Sequence, residues 1–152
     1  LANGGVQHRP HLGVATLDAV TRNSHPIEQP AAVDLGFKPA NVDVVRRAMA
    51  GVTQGGTSTR VFAGARYLSA GKTGTAQNRG KDHSAFMGFA PMNDPKIAVV
   101  VYVENGGWGA TYGVPIGALM MEKYLKGELS PESEAKAAEI QNRRIDYGIH
   151  ER

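Results

Sequence analysis

The sequence contains no cysteine. That excludes disulfides, thiolate metal sites and a cysteine nucleophile, and it fits an oxidising or a reducing compartment equally. A long apolar run is also missing: the longest, Ile97 to Val103, falls far short of the ~20 residues a membrane helix needs, and no signal peptide opens the chain. The expectation is a piece that is soluble as written. Excess charge is absent too, since 17 Lys plus Arg stand against 14 Asp plus Glu and only Arg46-Arg47 and Arg143-Arg144 cluster, which is too mild to imply nucleic acid. His8, His11, His25, His83 and His150 lack the paired spacing of a zinc site and read as surface or turn histidines. There is no internal repeat, no low-complexity segment and no opening methionine. Leu1-Ala2-Asn3-Gly4-Gly5 reads like a helix end running into a glycine stop, so the 152 residues are expected to be one compact unit cut from a longer protein.

What is present is a run of well-punctuated elements. Pro10 to Val20 alternates roughly and predicts a strand or hairpin, followed by a Pro-bearing extended loop from Ser24 to Pro30. Asn41 can cap a helix to about Thr53, with Val42, Val45, Met49 and Val52 on one face and Asp43 in the first turn, stopped by Gln54-Gly55-Gly56. Three strands follow, Arg66 to Ala76, Ser84 to Ala90 and Ile97 to Glu104, and their short connections favour an antiparallel meander. The unbroken apolar run Ile97 to Val103 predicts a strand covered on both faces. Pro115 suits the first position of a helix to Lys126, stopped by Gly127, whose stripe Ile116, Leu119, Met120 and Tyr124 should be core against the sheet. Ser130-Pro131 opens a mostly polar helix to about Asp146 with only Ile140, Ile145 and alanines to bury.

The chemically informative segment is Ser69-Ala70-Gly71-Lys72-Thr73-Gly74-Thr75-Ala76-Gln77. Gly71-Lys72-Thr73 could end a phosphate loop, but that pattern needs glycine where Arg66 stands and a helix to follow. It also fits the Lys-Thr-Gly element of penicillin-binding proteins and β-lactamases. There a lysine supplies positive charge near a substrate carboxylate, a neighbouring hydroxyl donates to it, and a glycine lets substrate lie against the strand edge. An N–H beyond the glycine can serve an oxyanion hole.

The surroundings of this tripeptide include Ala2-Asn3-Gly4-Gly5 with Arg9-Pro10-His11, Gly55-Gly56-Thr57, Gly71 to Gln77 and Asp82-His83. Further on stand Phe86 to Pro91, Asp94-Pro95-Lys96-Ile97-Ala98-Val99, Val103-Glu104-Asn105-Gly106 and Pro115-Ile116. In this order they resemble the elongation-type class B penicillin-binding proteins over roughly residues 1–127, leaving 128–152 as a polar helical tail. The resemblance implies an α+β fold: an antiparallel sheet with packed helices, the C-terminal part of a serine transpeptidase fold similar to the β-lactamases. It implies a peptidoglycan D,D-transpeptidase whose serine forms an acyl-enzyme with a stem peptide ending in D-Ala-D-Ala and is trapped by β-lactams. By the same resemblance Lys72 contributes cationic field, Thr73 and Thr75 bind the carboxylate, Gly74 permits close approach and the Thr75 N–H is an oxyanion donor. No metal or organic cofactor is implied. The expected partners are the remaining N-terminal part of the protein and the elongation machinery, with the parent anchored in the bacterial inner membrane and this domain in the periplasm.

Two departures qualify that reading. No Ser-x-Asn occurs; Thr21-Arg22-Asn23 comes nearest and reads as a turn. Ser-x-x-Lys occurs as Ser69 to Lys72, which an extended strand splits between opposite faces, and as Ser133 to Lys136, expected on a solvated helix face. The chain is therefore expected to lack the nucleophile and to be inactive alone. The rival from another class is a phosphate-binding or scaffolding module using Gly71-Lys72-Thr73. Asp82-His83 is expected to organise a turn, and Trp108 to pack over the core or edge a cleft, with core packing favoured.

Overall fold

The computed structural model describes residues 1–145 and 147. It divides into two compact units rather than the single one expected, with the boundary at Val42 and Asp43 inside the first helix.

In the first unit, β1 (Val6–Gln7) pairs antiparallel with β4 (Val33–Asp34), and β2 (Ala15–Leu17) with β3 (Ser24–Pro26). Pro10 to Val20, read as a strand or hairpin, holds the single strand β2, and the stretch read as extended loop supplies its partner β3. Asp18 closes the turn: its Oδ1 accepts from the Val20 N–H at 3.0 Å, the Thr21 N–H at 2.6 Å and the Thr21 hydroxyl at 2.9 Å, while Arg22 takes φ 60. Thr21-Arg22-Asn23 is thus a turn, as its composition suggested.

Helix α1 (Pro39–Gln54) starts two residues before the expected Asn41 cap, so Asp43 lies beyond the first turn. Proline at the first position has no N–H to leave unpaired, which explains the earlier start. The helix ends at the expected glycines and is followed by a short helix, α2 (Thr59–Phe62), that no periodicity announced. Strands β5 (Ala70–Ala76), β6 (His83–Ala90) and β7 (Ile97–Val103) form the antiparallel meander in the order β5-β6-β7. Helices α3 (Gly113–Lys126) and α4 (Pro131–Gln141) complete the described elements. Gly127 stops α3 in the left-handed region at φ 80, and the Ser130 hydroxyl caps α4 by accepting from the Ser133 N–H. α4 ends at Gln141; Asp146, where it was expected to end, and His150 lie outside the described residues.

The register Thr73↔Phe86↔Val101 puts Gly71, Thr73, Thr75, Ser84, Phe86, Gly88, Val99 and Val101 on one face. α3 lies on that face, and Phe86, only 1% exposed, packs with Phe62, Val99, Val114 and Met121. On the other face α1 covers one end, where Ala50 packs with Ala70, Phe89 and Met92. The rest is bare: Val100 is 77% and Tyr102 55% exposed. The expectation that β7 is covered on both faces therefore fails within this chain. The α3 stripe is corrected too. Val114, Gly117 and Met121 face the sheet while Met120 and Tyr124 are exposed, because a Cβ at Gly117 would lie 2.5 Å from the Phe86 ring and only glycine lets the helix come this close.

α4 is tied to α3 through Glu122, whose carboxylate accepts from the Ser133 hydroxyl and from the Ser130 N–H at 3.2 Å. Burial pushes this carboxyl up, but the bonds from Ser133 and Ser130 and the Lys126 ammonium outweigh it and hold it below 4.5. The contribution is therefore present above the ordinary carboxylate value and lost as pH falls through the lowered one. Nearby, burial and then the Glu122 charge push the Tyr67 phenol up to about 12.

Gly117→Ala should lower stability by about 1–3 kcal/mol, seen as a shift in urea midpoint at unchanged slope, with Phe86→Leu recovering part of it. An unchanged midpoint would refute the tight contact. Tyr67 should titrate near pH 12 by ultraviolet absorbance. Since the unfolded chain releases that proton near 10.0, the native state binds more protons between the two values and stability falls as pH rises through them, an effect absent in Tyr67→Phe.

Candidate active site

β5 is an edge strand with one sheet neighbour, β6, among the described residues. Every second backbone N–H and C=O of β5 therefore faces away from the sheet, open to an extended partner. Alternation along the strand sends Lys72 to the bare face and Thr73 and Thr75 to the α3 face, so the edge is straddled by an ammonium on one side and two hydroxyls on the other. Lys72 is exposed; its Nζ donates to the Thr73 carbonyl at 2.6 Å, and no carboxylate lies within ion-pair distance among the described residues. Thr73 is half-buried and its Oγ1 is 3.2 Å from that of Thr57. Thr75 is exposed opposite Ser84 in the register.

Gly74 has no positive φ, and a Cβ built there would meet Ala85 at an ordinary 3.4 Å. Nothing among the described residues demands a glycine at this position. Gly109 is different: a Cβ there would come within 2.6 Å of the Gly74 and Ala85 carbonyl oxygens, so the loop Gly106 to Gly109 lies backbone against backbone on the strand. Ser84 pins that loop, donating to the Trp108 carbonyl at 2.8 Å and accepting from the Gly113 N–H at 3.0 Å. Asp82 and His83 hold its start: the Asp82 carbonyl accepts from the Gly107 N–H at 2.7 Å and His83 Nδ1 from the Asn105 N–H at 2.9 Å. Their role is the organising one expected. Trp108 is not core as favoured; only its backbone is engaged, and the residue is 75% exposed.

The phosphate-loop alternative fails on geometry. Gly71-Lys72-Thr73 is extended and paired to Gly88, Met87 and Phe86, with strand rather than helix following, so no helix N-terminus is presented to an anion. In neither Ser-x-x-Lys does the serine hydroxyl bond the lysine. Ser69 is buried, and three residues along an extended chain Lys72 points the other way. Ser133 corrects the expectation of a solvated face: it is half-buried and its hydroxyl donates to Glu122, while Lys136 bonds Glu139 at 2.6 Å. Sequence reasoning used Gly55-Gly56-Thr57 only as a marker and missed that it delivers a hydroxyl to Thr73. A groove of about 990 Å³ between α2, α3 and α4 begins at Thr57 and passes Tyr67, Glu122 and Ser133, without Lys72 or Thr75 in its walls.

The penicillin binding protein transpeptidase domain family matches residues 1–123. Peptidoglycan D,D-transpeptidase MrdA of Haemophilus influenzae is 32% identical over 164 aligned positions, covering 95% of this chain and 25% of the relative. The crystal structure of Pseudomonas aeruginosa PBP2 in complex with WCK 5153 is similar at 43% identity and TM-score 0.59, over 71% of this chain and 25% of that one. The imipenem acyl-enzyme complex of penicillin-binding protein A from M. tuberculosis is similar at 28% identity and TM-score 0.70, over 82% and 28%. The chain spans about a quarter of the length of these proteins. The α+β, serine transpeptidase-like fold expected from the motifs is the one these neighbours share. The motif order from Ala2-Asn3-Gly4-Gly5 to Pro115-Ile116 and the edge strand bearing Lys72 to Thr75 thus have one explanation: the chain belongs to the penicillin-binding protein transpeptidase domain family, of the PBP2 type.

Proposed function

We propose that this chain carries the carboxylate-binding strand of a peptidoglycan D,D-transpeptidase of the cell-elongation type, and that the serine it serves lies in a part of the protein outside these residues. The observation that carries the reading is the edge strand β5, with Lys72 on one face and Thr73 and Thr75 on the other; Gly74, where the chain's own packing leaves room for a side chain, lets an extended partner approach closely. A stem peptide ending in D-Ala-D-Ala, or a β-lactam in its place, would lie along the open edge of β5. Thr73 and Thr75 donate hydroxyl protons to its carboxylate, Lys72 adds positive field, and the Thr75 N–H faces the oxygen on which charge develops as the serine attacks the penultimate D-alanine carbonyl. Terminal D-alanine leaves, and the acyl group passes to an amine of a neighbouring strand.

The serine-type mechanism, the inactivity of the isolated chain and the partners belong to the same proposal. The bare sheet face exposes Met87, Val100 and Tyr102, and the remaining part of the parent protein is its natural cover. Residues 1–127 make the transpeptidase portion, and 128–152 a polar tail attached through Glu122. The same proposal takes an elongation-machinery partner and a periplasmic site on a membrane-anchored parent; among the described residues no helix is long and apolar enough to cross a membrane.

A fluorescent penicillin, with intact mass to count adducts, should label the full-length parent and leave this chain unlabelled. Labelling of the isolated chain would overturn the missing nucleophile, and a parent that takes no label would overturn the transpeptidase. In the parent, Gly74→Ala should leave the thermal midpoint nearly unchanged while slowing acylation by roughly tenfold or more, since displacing a reacting group by about 1 Å costs on that order. A matching loss of stability would move the demand for glycine back inside the fold.

A further inference from the structure

We infer that Thr57 is a positioning residue that donates its hydroxyl proton to Thr73 Oγ1 and so aims the Thr73 proton at the substrate carboxylate. The inference rests on the transpeptidase reading and adds to it a residue outside the Lys-Thr-Gly strand.

A threonine hydroxyl has one proton and can accept two. The two hydroxyls are 3.2 Å apart, and that distance alone allows either to donate. A carboxylate only accepts, so once one lies against Thr73 the Thr73 proton must point to it. The bond between the threonines then survives only with Thr57 as donor. In that direction the Thr57 proton polarises the Thr73 hydroxyl and strengthens its outgoing bond, and it fixes a rotor that would otherwise turn among three staggered positions. Lys72 does not compete for this oxygen, because its ammonium donates to the Thr73 backbone carbonyl.

Thr57 is itself held in place, as a positioning residue requires. It sits in the turn between α1 and α2, where the Ser58 N–H donates to the Val52 carbonyl at 3.1 Å and the Thr59 hydroxyl to the Gly56 carbonyl at 2.9 Å. Gly56 lets the turn close: a Cβ there would lie 2.9 Å from Val52 Cα. On its other side Thr53 donates to the Ser69 carbonyl at 2.7 Å, fastening the end of α1 to the residue that leads into β5. The segment bearing Thr57 and the strand bearing Thr73 are thus tied together one turn away from the hydroxyl pair. Thr57 is exposed, so replacing its hydroxyl by a methyl group leaves no buried polar atom unpaired.

The test uses the full-length parent and two probes, benzylpenicillin and its methyl ester, which differ in whether the carboxylate is free. Thr57→Val should lower the second-order rate of acylation by the free acid about tenfold, the scale of losing alignment in a hydrogen bond to a charged group. Acylation by the ester should change less than twofold. Thr57→Ser should restore the acid rate, and Thr57→Val should have no further effect in a Thr73→Val background. An equal loss with both probes would show that Thr57 merely supports the fold, and an unchanged acid rate would show that Thr73 needs no partner; either result overturns the inference. If Thr57→Val folds poorly, Thr57→Ala read as the same acid-to-ester ratio decides between them. A wild-type parent acylated by neither probe overturns the transpeptidase reading itself, and this inference with it.

Discussion

The seat of Phe86 is the constraint on which the second unit depends. Its ring meets the backbone of three elements at positions where a Cβ could not fit: 2.7 Å from one on Gly71 in β5, 2.9 Å from one on Gly88 in its own strand and 2.5 Å from one on Gly117 in α3. A large side chain surrounded by glycines lets helix and strands approach to the thickness of a single ring, and it brings the dispersion contact of that ring to bear on all of them together. Because Gly71 immediately precedes Lys72, the contact that holds α3 to the sheet also fixes the height and phase of the strand that carries the Lys-Thr-Gly element. A shift of one residue there would exchange the faces of Lys72 and Thr73.

With its phase fixed, the edge strand does two opposed things. On the α3 side it is crowded, with the loop Gly106 to Gly109 lying on Gly74 and Ala85 and Thr57 reaching Thr73. On the other side it is open, with an exposed lysine and a glycine that nothing among the described residues requires. An open edge ordinarily invites pairing with any extended chain, and a lysine at the edge is one of the devices that discourages it. On the proposed reading the same charge favours one kind of extended partner, a peptide that ends in a carboxylate. The hydroxyls across the strand give that preference its direction, since they can meet the carboxylate from the side where the backbone is rigid.

The meander, the end of α3 at Gly127 and the Ser130-Pro131 start of α4 were legible because each is dictated by local chemistry: turn residues, a left-handed glycine, a capping hydroxyl. Apolar periodicity misled where contact depends on small residues. The stripe Ile116, Leu119, Met120 and Tyr124 selects bulk, whereas the sheet-facing surface of α3 is built on Gly113, Val114 and Gly117, and its largest aromatic, Tyr124, is 62% exposed. The same blindness hid α2, too short to show a period, and placed Trp108 inside when only its carbonyl is held. Of the candidate site, the placing of Lys72 to Thr75 on one strand could be read from the tripeptide and its neighbours. Thr57 could not, because its partner stands sixteen residues away and only the tertiary structure brings the hydroxyls together.

On the proposed reading, an extended edge that receives substrate is a poor place from which to supply the attacking group. A serine activated by a lysine three residues on needs both side chains on one face, which a helix provides and a strand forbids. Ser69 and Lys72 have the right spacing on the wrong backbone. Ser133 and Lys136 have it on a helix, yet Ser133 gives its proton to Glu122 and Lys136 is held by Glu139. Extended backbone for recognition and helical backbone for nucleophile activation are requirements that one short segment cannot meet at once, so on the proposed reading the acyl-transfer chemistry is shared between this strand and a helix outside these residues.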